Sequence, residues 1–176
     1  MNVSQRVLFL ALASVSSAVL AAEAESTPPN LPTFVSKAAQ AGMTEVEVGK
    51  LALEKSTDPA IRGFAQKMVD DHSKANSELA QIAEAKGVKA PKKLDAEHQA
   101  MVNSMKNVPA GDFDRQYSQH MNMDHTKAIA LFESASHAED PQLAEFAQKT
   151  LPTLKVHKQM AEKLPGNMKA GSAPGG

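Results

Sequence analysis

Two stretches of the chain, DPAIRGFAQK at 58–67 and DPQLAEFAQK at 140–149, share Asp-Pro and Phe-Ala-Gln-Lys at identical spacing, 82 residues apart. Each opens with a strong helix start. An Asp at the N-cap accepts hydrogen bonds from the free N–H groups of the first turn, and a Pro at the first helical position lacks an N–H that would go unpaired anyway. Each start is preceded by another stretch with helical periodicity, so the repeat predicts two equivalent helical hairpins, through duplication or through convergent capping.

Apolar residues at Phe34, Ala38, Ala41, Val48 and Ala52 give a first helix ending near Lys55. The second runs from Asp58 to a C-terminal cap at Gly87, with Ile61, Ala65, Met68, Ala75, Leu79 and Ile82 on one stripe. A third, from about Asp112 to Ser136, buries Phe113, Tyr117, Met121, Ala128, Leu131 and Phe132. The last runs from Pro141 to about Leu164 through Leu143, Phe146, Leu151 and Leu154, with a kink expected at Pro152. The segment between the hairpins is long enough to travel the length of a bundle and has room for one short helix near Asp95 to Met105. With no strand-like alternation anywhere, the expectation is an all-α fold: a ferritin-like four-helix bundle of two hairpins joined by a long crossover.

The N-terminus carries one basic residue, Arg6, then the apolar run Val7 to Leu20, then small residues, the three-part pattern of a secretory signal. The organisation expected is a signal peptide over 1–22, a linker over 23–32, the bundle over 33–165 and a disordered Gly-rich tail over 166–176. The cleaved chain is expected in the periplasm. It keeps 18 basic and 20 acidic residues, since cleavage removes Arg6 and no acid, and this balance gives no nucleic-acid footprint. No apolar run after the signal is long enough to span a membrane. The absence of cysteine excludes disulfides, thiol catalysis and Cys-type zinc sites, so stability must come from the core.

Some positions inside the apolar stripes are polar. Continuing the helical spacing places Glu45 in the first stripe, His72 in the second and His157 in the fourth; on the third the stripe passes through Asp124, with His125 beside it and His120 one turn earlier. A rise of 1.5 Å per residue puts them at roughly one level. A buried carboxylate or imidazole costs several kcal/mol unless paired or coordinated. Glu45, His72, Asp124, His125 and His157 are therefore the expected ligands of a divalent metal, with iron, zinc or manganese the ions that such donors suit. Neighbours on a helix point about 100° apart, so Asp124 and His125 compete for the inward direction. Met68, Met121, Met123 and Met160 read as core packing in preference to soft-metal ligands.

The residues FVSKAAQAGMTEVEVGKLALEKSTDPAIRGFAQKMVDDHSKAN, FDRQYSQHMNMDHTKAIALFE and FAQKTLPTLKVHKQMAEKL together resemble a bacterial family of exported proteins. It is grouped as a domain of unknown function with a ferritin-like bundle, and its members are often labelled predicted outer membrane proteins. The resemblance covers roughly Phe34 to Leu164 and implies the fold and an envelope location, with no established activity. The chain departs from the diiron ferritin pattern of Glu-x-x-His: Val69 stands three residues before His72, and Leu154 three before His157. Two functions are thus expected in competition. One is a metal-binding bundle for storage or stress protection; the other is a non-catalytic helical module that binds a protein or envelope component, its histidines purely structural. No nucleophile elbow, phosphate loop or cofactor fingerprint marks an enzyme.

Overall fold

A computed structural model describes residues 28–167. The expected signal peptide, half of the linker and all but the first two residues of the expected tail lie outside the described residues. Among the described residues there are five helices and no strand: α1 (Leu31–Lys55), α2 (Pro59–Ala85), α3 (Ala96–Asn107), α4 (Ala110–Ala135) and α5 (Pro141–Glu162).

The capping chemistry accounts for the boundaries. Asp58 Oδ1 accepts from the N–H groups of Ala60 and Ile61 at 2.8 and 3.1 Å, and Asp140 Oδ1 accepts from those of Gln142 and Leu143 at 3.0 and 3.1 Å. The repeated Asp-Pro strings thus form matching starts of α2 and α5. Gly87 closes α2 with φ +68°, the left-handed conformation that a Cβ disfavours. Around it Val88 N–H bonds to the Ala83 carbonyl and Gly87 N–H to that of Glu84, the Schellman pattern. The short helix expected in the crossover is α3, started by Asp95, which accepts from His98 N–H at 2.9 Å. α5 continues through Pro152, whose ring removes one bond to the Gln148 carbonyl on an exposed face.

The four long helices are neighbours in a closed ring, α1 to α2, α2 to α5, α5 to α4 and α4 to α1, with α3 against α1. The core falls into two apolar clusters. One holds Val48 and Ala52 of α1, Phe64 and Met68 of α2, Phe113, Tyr117 and Met121 of α4, and Ala161 of α5. The other holds Phe34 and Ala38, Leu79 and Ala83, Phe132 and Ala135, and Leu143, Phe146 and Leu154. Every long helix therefore crosses from one cluster to the other, and α2 ends beside the second cluster while α4 begins beside the first. The crossover carrying α3 must travel the length of the bundle. Small residues let α1 and α2 close up: a Cβ on Gly42 would stand 2.3 Å from Asn76 Oδ1, and one on Gly49 would stand 3.2 Å from the Ala65 carbonyl. Met68 and Met121 are core, but Met123 is exposed and packs in neither cluster, a departure from the sequence expectation. No described helix is long and apolar enough to cross a membrane.

Candidate metal centre

At the junction of the two apolar clusters each long helix gives up one position to a polar side chain. These are Glu45 on α1, His72 on α2, His125 on α4 and His157 on α5, exposed by 1, 8, 0 and 1% respectively. The imidazole centroids stand 5.4 to 5.7 Å apart. Glu45 Oε2 lies 2.7 Å from His72 Nε2 and 3.5 Å from His125 Nε2.

Hydrogen bonds to the far side of two rings settle which nitrogen faces inward. His125 Nδ1 lies 2.9 Å from the Met121 carbonyl, which can only accept, so that nitrogen carries the proton and Nε2 holds the lone pair. His157 Nε2 lies 2.7 Å from Asp71 Oδ2. Burial opposes ionisation of Asp71, but its contacts with Lys67 and His157 hold its carboxyl below the usual range. Asp71 is thus ionised at neutral pH, His157 donates through Nε2, and its Nδ1 is free. This is how carboxylates and carbonyls orient ligating imidazoles.

What remains is four buried atoms, one per helix, with no hydrogen-bond partner in the protein: Glu45 Oε2, His72 Nε2, His125 Nε2 and His157 Nδ1. The Glu45–His72 pair at 2.7 Å falls outside strict hydrogen-bond geometry, but against burial the contact lowers Glu45 and raises His72 and so offsets part of the cost for those two atoms. An unsatisfied buried polar group costs about 1–3 kcal/mol. His125 Nε2 and His157 Nδ1 bear that cost without such a contact, against a net stability of about 5–15 kcal/mol. A divalent cation would turn all four into ligands. Donors about 2.1 Å from one ion lie at most about 4.2 Å apart. One nitrogen from each of the three imidazoles falls within 4.8 Å of the others, and donors in a tetrahedral set stand about 3.4 Å apart, so closure draws the widest pair in by about an ångström.

The structure thus brings together Glu45, His72, His125 and His157 and leaves Asp124 outside. The 100° step between helical neighbours turns Asp124 toward His120, where Oδ2 stands 3.2 Å from Nε2, while Oδ1 stands 3.5 Å from Lys127 Nζ. Its side chain is 23% exposed.

A family model described as Domain of unknown function (DUF4142) matches residues 16–164. The chain belongs to this family. Among solved structures, the crystal structure of a DUF305 fragment from Deinococcus radiodurans is similar, with a TM-score of 0.69 and 18% identity over 80% of this chain and 97% of that one. At that identity the likeness speaks for the fold alone. No curated protein matches the DUF4142 chain.

Two participants of this DUF4142 centre lie outside the expected set of ligands. Asp71 orients His157, and its signal was the doubled acid before His72: one step round α2 from an inward His lies a position facing the next helix. Tyr117 was expected only as core. Its buried hydroxyl has no protein partner, and burial and then the Glu45 charge push its ionisation upward.

The electrostatics of the DUF4142 site predict its acid response. Burial would raise Glu45, but the imidazoles around it, His72 first, bring it down to about 2. Burial pushes His157 down to about 4, and the other two imidazoles add to this against Asp71. Burial opposes a proton on His72, yet Glu45 lifts it above the ordinary imidazole value. Stability from Glu45 is full above its unfolded value near 4.5 and lost as pH falls toward 2; that from His157 is full above 6.5 and lost as pH falls toward 4. His72 acts oppositely, its share being full below 6.5 and fading as pH rises through its raised value. The metal-free protein should therefore lose melting temperature from about pH 6.5 down to 4 and again below 4.5. A flat profile from pH 7 to 4 would show imidazoles free to take protons.

Proposed function

We propose that this chain is an exported, ferritin-like bundle that holds one divalent transition-metal ion, iron, zinc or manganese, through Glu45, His72, His125 and His157. The carrying observation is the set of four buried, partnerless donor atoms at one level, two of them fixed in the ligating tautomer from behind. Ferritin-like connectivity is supported by two hairpins joined by a crossover that travels the bundle with α3 on it. Export is supported by the signal-like N-terminus. Storage requires capacity, whereas one centre holds one ion per chain, so a role in stress protection fits the site better.

The alternative, a partner-binding module with structural histidines, draws on the close Glu45–His72 contact, which partly neutralises two of the four groups. It leaves His125 Nε2 facing a carboxylate oxygen, acceptor against acceptor when the ring is neutral. The two readings separate in a titration of metal-free protein with zinc or cobalt(II). The expected result is one equivalent retained per chain and a raised melting temperature, since a ligand a hundredfold above its Kd adds about 2.7 kcal/mol to the native state. No retained metal under any loading would overturn the centre.

A further inference from the structure

A cavity of about 40 Å³ reaches the cluster from the side of the second apolar core. Glu45, His72 and His157 line it together with Asp71, whereas His125 does not. An ion held by the four would have His125 behind it and the cavity in front. Four protein ligands leave a metal that prefers five or six positions with at least one to fill, and the cavity is where it opens.

The walls decide what could fill it. Apolar atoms make most of the surface, with Leu79, Phe132, Phe146 and Leu154 among their sources and Asn76, Thr150 and Thr153 adding neutral polar groups, and no Lys or Arg takes part. A phosphate or carboxylate substrate would find no cationic anchor beyond the ion. The enclosed volume suits a few water-sized atoms, at roughly 10–15 Å³ each, better than an organic substrate. Entry lies between α2 and α5, where Thr153 is exposed and Asp71, Ala75 and Thr150 are half-buried.

Resting on the metal-centre reading, we propose that the ion takes an external ligand of two or three heavy atoms, neutral or singly charged, bound end-on from this apolar cavity; dioxygen and its reduced forms are the biological members of that class. The site is built to admit a small ligand and to refuse a large one. Ala75 lies one turn from His72 on the same face, so a larger side chain there intrudes directly in front of the ion.

The probe is azide, added to full-length protein loaded with cobalt(II) and followed by visible absorption. The expected result is a saturable change with one azide per ion. Ala75→Leu should retain cobalt and lose the azide response, and Thr150→Leu, from the facing helix, serves the same purpose should the first variant not fold. A cobalt-loaded protein whose spectrum azide leaves unchanged would overturn the open position while the centre stands. An azide response equal to wild type in a folded, cobalt-loaded filling variant would overturn the cavity as its route. Failure to take up cobalt would remove the centre and this ligand with it.

Discussion

Replacing His72 and His157 together by Ala is expected to abolish stoichiometric metal uptake and the rise in melting temperature that metal brings. The two side chains supply two of the four inward donors, and the remaining pair, Glu45 Oε2 and His125 Nε2, stands on α1 and α4 with nothing facing it from α2 or α5. Loss of a residue that merely orients a ligand costs about 10–100-fold in metal affinity. Asp71→Asn, which weakens the grip on His157 without removing a donor, should fall in that range, and the double replacement should exceed it. Asp124→Asn should leave affinity unchanged, because that carboxylate is turned to His120 and Lys127. The order of the three variants is the test. If Asp124→Asn matched the double replacement, the donor set would have to be redrawn around α4; if the double replacement still bound one ion per chain, the ion would lie elsewhere.

The sequence made the helices legible because their ends are local chemistry. Asp58 with Pro59, Asp140 with Pro141 and Gly87 each set a boundary through bonds within a few residues of themselves, and no tertiary contact is needed to read them. The polar layer was legible for a related reason. A stripe that must be buried exposes any polar residue lying in it, which is how Glu45, His72 and His157 stood out. Asp124 and His125 could not be separated that way, since the helical period leaves adjacent positions nearly equivalent and the choice is made by neighbours. Phe64 on α2 meets His125 edge-on at 6.3 Å, and the Met121 carbonyl accepts from its Nδ1–H. Asp71 stands beside His72 in the sequence, but which ring it serves was not legible there, because the contact spans 86 residues to a ring on another helix. The cavity depends on the spacing between α2 and α5, which no periodicity encodes.

Phe34→Ala is expected to be the most destabilising single change in the second apolar cluster. Phe34 is fully buried and meets Phe132 edge-on at 5.0 Å and Phe146 at 6.2 Å, while those two rings stand 5.9 Å from each other. Truncation removes the transfer energy of a whole ring and leaves a cavity that three helices would have to collapse to fill, which costs about 3–5 kcal/mol. For a domain of this size the melting temperature should fall by about 10–20 °C. Phe132 and Phe146 also wall the cavity in front of the proposed ion, so the floor beneath it loosens. The ligating atoms lie in another layer, however, and metal binds only the native arrangement. Saturating zinc should therefore restore about 2.7 kcal/mol at a hundredfold excess over Kd, roughly half the loss or more. A shift of only a few degrees would mean that the three rings do not interlock. A full-sized loss that zinc leaves untouched, in a protein whose wild type zinc does stabilise, would mean that the aromatic floor and the polar layer are one cooperative unit, so that the ion cannot hold the bundle together once its neighbour gives way.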